Sequence, residues 1–249
     1  MGHRPAVTLP PARRLVLPAV LAVAFAALAA VVLARHGTPY GVDTGPHHWS
    51  VRHRPHGWAV AARAVTAAGT GPYPYLAAAV GGWLGGGRDA RRGVPAALLA
   101  LLALLAGQVL RTALMLLLHR SRPPVVDWAA HASGHAFPSG HSASSAMAAG
   151  VLAWGLLRTF PGAVGRVAAW ACGAVALLIG LTRVYLGVHW PTDVLGAWLF
   201  AGCWMAVVLP ALSAYADGGD GSSGDRMDGP GGAAGPGRDG RPGTQTDTP

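Results

Sequence analysis

The segment from Arg183 to Asp193 places an Arg, a His and an Asp at the mouth of an apolar stretch. Charge is costly in or beside a membrane span, so ionisable residues there are candidates for function. His189 lies four residues before Asp193, a spacing at which the carboxylate can orient the imidazole and activate it as a nucleophile. The planar guanidinium of Arg183 suits phosphate oxygens. The segment therefore predicts a phosphate-handling site at a membrane surface.

Two further polar clusters interrupt the apolar pattern. Arg120 and Arg122 follow one apolar block, while Ser139, Gly140 and His141 open another. The first turn of a helix offers free N–H groups and a positive dipole end, and a glycine there allows close approach of an anion. The two arginines would neutralise phosphoryl oxygens, which is the main requirement of phosphoryl transfer.

The histidines suggest a division of roles. His189, donating its Nδ1–H to Asp193, would attack phosphorus through Nε2. His141 would protonate the departing oxygen and then activate water. Each residue alone has an ordinary explanation, such as a helix-end histidine, an arginine at the membrane interface or an aspartate at a helix N-terminus. Their combination favours a functional site.

The composition indicates which elements hold these residues. The chain has 249 residues, of which 52% are hydrophobic and 12% charged, against about 25% charged in soluble domains. The apolar residues fall in long blocks, which predicts an all-α polytopic membrane protein with six transmembrane helices in a bundle. The predicted spans are residues 15–34, 58–84, 94–118, 138–157, 167–186 and 191–212. A cleaved signal peptide is the alternative for the first span, and we expect a kink or break in the second near Gly71 and Pro72.

Three regions follow from this division. Residues 1–14 form a cytoplasmic N-terminal segment, residues 15–212 the transmembrane domain, and residues 213–249 a cytoplasmic tail rich in Gly, Asp and Pro that should be disordered. The loop 36–57 is rich in histidine at irregular spacing, and a solvated loop is predicted there rather than a metal site. The distribution of arginine among the loops puts the termini in the cytoplasm and the three polar clusters on the extracytoplasmic face of the plasma membrane.

Charge and cysteine content limit the partners. The net charge of +9 comes from 19 Arg, with no Lys and no Glu, and the arginines are scattered between apolar blocks. Loop charge explains this pattern better than nucleic-acid binding does. The cysteines, Cys172 and Cys203, lie within predicted spans and are expected to be buried apolar groups. No metal-ligand spacing occurs, so neither a metal nor another cofactor is predicted.

Taken as a set, the three clusters resemble the signature of the type-2 phosphatidic acid phosphatase family, which is related to vanadium haloperoxidases. That signature has a Lys, six residues, then Arg-Pro; then Pro-Ser-Gly-His; then Ser-Arg, five residues, His, three residues and Asp. The positions that match are Arg122, Pro123, Pro138, Ser139, Gly140, His141, Arg183, His189 and Asp193. Thr182 stands where the family has Ser.

The resemblance implies a metal-independent phosphatase, with His189 as nucleophile, Asp193 as the residue that orients it and His141 as general acid. It also implies a set of groups that hold the phosphate, namely Arg122, Arg183, Ser139 and Gly140.

One position departs from the family pattern. Met115 occupies the place of the family Lys. Arg111 lies four residues earlier, on the same helix face and one turn deeper. Its longer side chain is a candidate to replace the Lys at the phosphate; a polar contact within its own helix is the alternative.

These observations predict an integral membrane phosphatase that hydrolyses lipid phosphomonoesters or diphosphates through a phosphohistidine. Phosphatidic acid, phosphatidylglycerol phosphate and polyprenyl diphosphate are the candidate substrates, and the lipid tail would stay in the bilayer. A phosphotransferase that uses the same histidine, and a non-catalytic lipid-phosphate binder or transporter, are the competing hypotheses.

Overall fold

The computed structural model describes residues 11–218, and side chains from residue 15 onward. Within that range the chain is helical with connecting segments and has no β-strand, as predicted. The eight α-helices of these residues are α1 Pro11–Ala34, α2 Gly41–Arg52, α3 His56–Ala67, α4 Tyr73–Gly86, α5 Ala90–Leu118, α6 Gly140–Thr159, α7 Ala163–Tyr185 and α8 Pro191–Gly218. The predicted tail begins too early, because α8 continues to Gly218; the predictions for residues 1–10 and 219–249 lie outside the described part.

Four stretches are long and apolar enough to cross a membrane. They are Leu15–Ala34 within α1, and the helices α5, α7 and α8. Large aliphatic side chains on α1, α5 and α7 are exposed in the isolated chain, as expected for surfaces that face lipid. By length and composition the described residues thus supply four of the six predicted spans. The regions predicted as the second and fourth spans are not among these four stretches.

The predicted fourth span is α6, which packs against α4, α5, α7 and α8. A helix surrounded by other helices presents little surface to lipid, so it needs small residues for close packing more than strongly apolar ones. The buried residues Ser142, Ala143, Ser145 and Ala148 show this on α6. This position explains why α6 is less apolar than the four spans.

The predicted second span is interrupted where a break was expected. Helix α3 ends at Ala67 and α4 begins at Tyr73. Between them Gly71 adopts a φ of +61°, a backbone conformation that glycine tolerates without strain. The break exposes the ends of two short helices on one side of the bundle, and the site described below uses it.

The prediction of a solvated loop over residues 36–57 is wrong. Helix α2 lies there, and Asp43, His47 and Ser50 on it are buried. Each bonds to a group far along the chain: Asp43 to Arg120, the His47 ring to Asp127, and the Ser50 hydroxyl to the Val184 carbonyl. Tertiary partners therefore bury a segment whose composition alone predicts a polar loop.

Helices α4 and α6 approach each other through glycine. A methyl group added at Gly81 would lie 2.6 Å from both the Leu152 Cα and the Val151 carbonyl oxygen. Both are backbone atoms, so relief requires the helices to separate, and overpacking of this kind costs about 1–3 kcal/mol. We expect Gly81→Ala to lower the melting temperature of the purified protein. The matched control is Gly173→Ala on α7, where an added methyl group has no neighbour within 4 Å; equal melting temperatures for the two variants would contradict the packing argument.

Candidate active site

The polar clusters of the sequence meet at a cavity of about 410 Å³. The cavity lies between the C-terminal half of α5, the first turn of α6, the end of α7 and the break between α3 and α4. The loop 131–134 and the segment before α8 complete its wall. The predicted site residues that line it are Arg111, Arg122, Gly140, His141, Arg183 and His189. Both histidines thus face the same space, together with three arginines from segments that are distant in sequence.

His189 is oriented by a carboxylate from the first turn of α8. Its Nδ1 lies 3.3 Å from the Oδ2 atom of Asp193. That oxygen also accepts the backbone N–H of Trp190 at 2.8 Å, so the carboxylate caps the helix as well as contacting the ring. Pro191 begins the helix and fixes the register that brings Asp193 back over His189. The predicted orienting contact is therefore present.

The second nitrogen of the ring identifies its tautomer. His189 Nε2 lies 2.9 Å from Arg122 Nη1, which can only donate, so Nε2 accepts and the proton resides on Nδ1. Burial lowers the pKa of His189 to about 4, against the opposing influence of Asp193. The imidazole is consequently neutral at physiological pH. Its lone pair on Nε2 is directed at a guanidinium that suits a phosphate.

Arg122 is held rigidly by carbonyl groups of two segments. Its Nε donates to the Gly134 carbonyl at 2.9 Å, its Nη2 to Ser133 at 2.7 Å and its Nη1 to Val188 at 2.8 Å. A guanidinium fixed in this way loses little side-chain entropy when an anion binds. The loop 131–134 and the segment containing His189 are thereby joined through one side chain.

Arg183 contributes a second buried cation. Only 2% of it is exposed, and its Nη1 donates to the Thr66 hydroxyl at 3.2 Å. Its Nε has no hydrogen-bond partner among the described residues. A buried guanidinium with spare donors and no carboxylate beside it is suited to an anionic ligand.

Arg111 reaches the first turn of α6. A methyl group placed on Gly140 would lie 3.3–3.4 Å from three atoms of the Arg111 guanidinium. The same guanidinium donates to the Thr112 hydroxyl at 2.9 Å and contacts the Met115 sulfur at 3.3 Å. The intrahelical contacts considered as the alternative therefore exist, and they hold the cation at the cavity wall beside the N-terminus of α6.

Ser139 has a different place from the one predicted. It is fully buried and does not line the cavity. Its N–H donates to the backbone carbonyl of Asp193 at 3.1 Å, and its hydroxyl accepts from the Ser142 hydroxyl at 3.0 Å. The backbone bond fastens the start of α6 to the start of α8, and the Ser139 side chain faces α6 and not the cavity.

Arg120 also lies in a different place from the one that the sequence predicts. It is fully buried outside the cavity lining, and its guanidinium lies between two carboxylates, Asp193 and Asp43. Both ion pairs have N···O distances of 2.6 Å. A guanidinium neutralised by two carboxylates has no charge left for a phosphate, so Arg120 is not a phosphate ligand in this arrangement.

The sequence prediction missed several residues of this region. Asp43 is the foremost, followed by Thr66, which holds Arg183, and by Tyr75 and Gln108, whose side chains bond at 2.7 Å in the cavity wall. One signal pointed to Asp43: it is the only acidic residue before Asp89 in a chain rich in arginine.

Comparison with known proteins identifies relatives of this chain. The model of the family described as PAP2 superfamily matches residues 96–215. Phosphatidylglycerophosphatase B of Bacillus subtilis is 38% identical over 101 residues, which are 40% of this chain and 49% of that protein. Undecaprenyl-diphosphatase of Sulfolobus acidocaldarius is 38% identical over 73 residues, 29% of this chain and 31% of that protein. The matched parts thus span about half of the first relative and about a third of the second.

A solved structure extends the similarity to the fold. The crystal structure of a transmembrane PAP2-type phosphatidylglycerolphosphate phosphatase from Bacillus subtilis superposes with a TM-score of 0.63 at 26% identity. The match covers 78% of this chain and 94% of that one. The region matched by the family model carries every cavity residue from Arg111 to His189 and the orienting Asp193. Residues 96–215 of this chain therefore belong to the PAP2 superfamily.

Proposed function

We propose that this protein is an integral membrane phosphatase that hydrolyses lipid phosphomonoesters or diphosphates through a phosphohistidine intermediate. The observation that carries the proposal is the environment of His189. Its Nδ1 faces a buried carboxylate and its Nε2 faces a guanidinium in a cavity that also contains His141. An unprotonated nucleophile beside fixed cations is the arrangement that phosphoryl transfer needs.

In the first step, the lone pair of His189 Nε2 attacks phosphorus. The bond between phosphorus and the leaving oxygen breaks, and His141 gives that oxygen a proton. The leaving group is a lipid alcohol from a monoester or a lipid monophosphate from a diphosphate. Asp193 stabilises the positive charge that develops on the His189 ring, while Arg122, Arg183 and the first turn of α6 hold the non-bridging oxygens.

In the second step, water breaks the phosphohistidine. His141 takes a proton from the water as its oxygen attacks phosphorus, and the P–N bond breaks. His189 regains its lone pair on Nε2, and inorganic phosphate leaves. No metal ion is needed for this sequence, because the arginines supply the charge stabilisation.

We propose that six spans form the bundle, with α3 and α4 together as the broken second span and α6 as the fourth. The cavity then lies at the extracytoplasmic face, because the ends of α5 and α7 and the starts of α6 and α8 converge there. The opposite ends carry arginine, as at Arg88, Arg91, Arg158 and Arg166, which fits a cytoplasmic location. The lipid tail would remain among the helices while its headgroup enters the cavity.

The test is phosphate release by purified protein from phosphatidic acid, phosphatidylglycerol phosphate and a polyprenyl diphosphate. We expect release from at least one of them, persistence in the presence of a chelator, and inhibition by vanadate, which adopts the trigonal-bipyramidal geometry of the transferring phosphoryl group. The absence of release from every lipid, or release only after a divalent cation is added, would overturn the proposal.

We propose that Arg111 replaces the family Lys that is absent at Met115, and this role can be tested separately. Arg111→Ala should lower kcat/KM by about 10- to 1000-fold, because it removes one charged donor from the transferring phosphoryl group. Adding Met115→Lys to that variant should restore much of the loss. Arg158→Ala, which removes a partly exposed ion pair with Asp217, is the control. Near-normal turnover of Arg111→Ala would exclude the compensation.

A further inference from the structure

We propose that Asp43 is a positioning residue for the nucleophile, and that it acts on His189 through Arg120 and Asp193. The proposal rests on the proposed function, since it assigns His189 the attacking role. Asp43 belongs to α2, outside residues 96–215 that match the family model and outside all three sequence motifs. It contacts neither the cavity nor His189, so its influence is indirect.

The chain of contacts is short and wholly buried. Asp43 Oδ2 accepts from Arg120 Nη2 at 2.6 Å, and Asp193 Oδ1 accepts from Arg120 Nη1 at 2.6 Å. The other oxygen of Asp193 faces His189 Nδ1. Asp43, Arg120 and Asp193 are all 0% exposed. One guanidinium therefore joins the carboxylate of α2 to the carboxylate that orients the nucleophile.

Charge balance explains why two carboxylates share Arg120. A buried guanidinium with a single carboxylate would be drawn fully onto that partner, because attraction in a region shielded from water is strong and directional. Asp43 takes one edge of the guanidinium and leaves the other for Asp193 Oδ1. Asp193 Oδ2 thus stays directed at His189, already at the long end of hydrogen-bond distance at 3.3 Å.

Asp43 also fixes the helix that carries Asp193. Its Oδ1 accepts the Thr192 backbone N–H at 3.0 Å and the Thr192 hydroxyl at 2.7 Å. That N–H is one of the first-turn donors of α8, which have no partner within the helix. The same Thr192 hydroxyl accepts from Arg120 Nη1 at 2.6 Å. Asp43 therefore holds both the side chain next to Asp193 and the backbone turn from which Asp193 projects.

The first test separates positioning from binding. Asp43→Asn keeps the side-chain volume and removes the charge. We expect kcat to fall about 10- to 100-fold, the usual cost of displacing a reacting group by about 1 Å. KM should change little, because the phosphate-holding arginines keep their own anchors. Phosphohistidine trapped by a base quench during the first turnover should form more slowly by the same factor.

The matched control is Asp127→Asn, which weakens another side-chain tether of α2, the 2.9 Å contact between Asp127 and His47. If loosening of α2 alone lowered activity, this variant would lose as much kcat as Asp43→Asn. We expect it to retain the kcat of the unmodified protein. Equal losses in the two variants, or an unchanged kcat in Asp43→Asn, would overturn the assignment.

A double-mutant cycle tests the route through Arg120. Arg120→Gln should itself lower kcat, and adding Asp43→Asn should cause no further loss, because the bridge is already absent and the amide oxygen that the second substitution introduces can still accept from Thr192. Independent, multiplicative losses would contradict the proposed route. Thr192→Val supplies the test if Asp43→Asn is not recovered folded: it keeps every charge and removes a hydroxyl between the two partners. A lower kcat at unchanged KM would support the proposal, and an unchanged kcat would overturn it.

The two levels of proposal fail in different ways. If the unmodified protein releases no phosphate from any lipid, the phosphatase function is wrong, whatever the variants do. If the unmodified protein is active and the Asp43 and Thr192 variants have the same kcat, the function stands and the positioning role is lost.

Discussion

Replacing His189 by Gln is expected to lower kcat by about 10⁴-fold or more, the scale observed when a covalent nucleophile is removed. The amide can still accept from Arg122 but forms no covalent bond to phosphorus. Phosphate and vanadate should still bind, because Arg122 is anchored by the carbonyls of Gly134, Ser133 and Val188. The measurements are steady-state turnover and transfer of labelled phosphate to the protein, which should be absent from the variant.

The control for this substitution is His56→Gln, which changes an exposed histidine on α3. It should turn over lipid phosphate like the unmodified protein. Turnover by His189→Gln within about tenfold of normal would be too small a loss for a covalent nucleophile. That result would favour direct attack by water on the bound phosphoryl group.

The second large effect is expected at His141, because it serves both steps. His141→Gln should lower kcat on lipid substrates by about 10²- to 10⁴-fold, the usual contribution of a positioned general acid or base. An aryl phosphate has a leaving group that needs no proton. With it the variant should still form the phosphohistidine, release about one aryl alcohol per protein in a burst, and then stall.

The burst distinguishes His141 from a residue that only binds phosphate. Loss of a binding residue would weaken the binding of both substrates alike and would not trap the intermediate. Accumulated phosphohistidine should be stable in base and labile in acid. Equal losses on lipid and aryl phosphates, with no trapped intermediate, would remove His141 from the proton-transfer role.

Local spacing is the part of the site that the sequence predicts well. His189 and Asp193 lie four residues apart across the start of a helix, so covalent geometry and the first turn of α8 suffice to bring them together. Gly140 and His141 open α6 for the same reason. The break between α3 and α4 was likewise predictable, since Gly71 disfavours a helix and Pro72 lacks the N–H that a helix interior requires.

Arg120 and Arg122 show where that reasoning stops. They are two residues apart, of the same type, and on the same segment, yet Arg122 lines the cavity and Arg120 is buried between two carboxylates. The segment that carries them is neither helix nor strand, so their spacing does not fix the direction of either side chain. Which of the two meets phosphate depends on what surrounds the segment. The partner that settles the matter, Asp43, lies 77 residues from Arg120.

By itself, the sequence determined the membrane character of the chain, the helical ends that carry polar residues, and the His–Asp pair, because composition and short spacing act locally. Only the tertiary structure decided that the segment around Asp43 is a buried helix, that α6 lies inside the bundle, and which arginines face the cavity. Those outcomes depend on ion pairs and packing between residues far apart in the chain. No local pattern encodes such pairs, since burying a charge is favourable only once its distant partner has arrived.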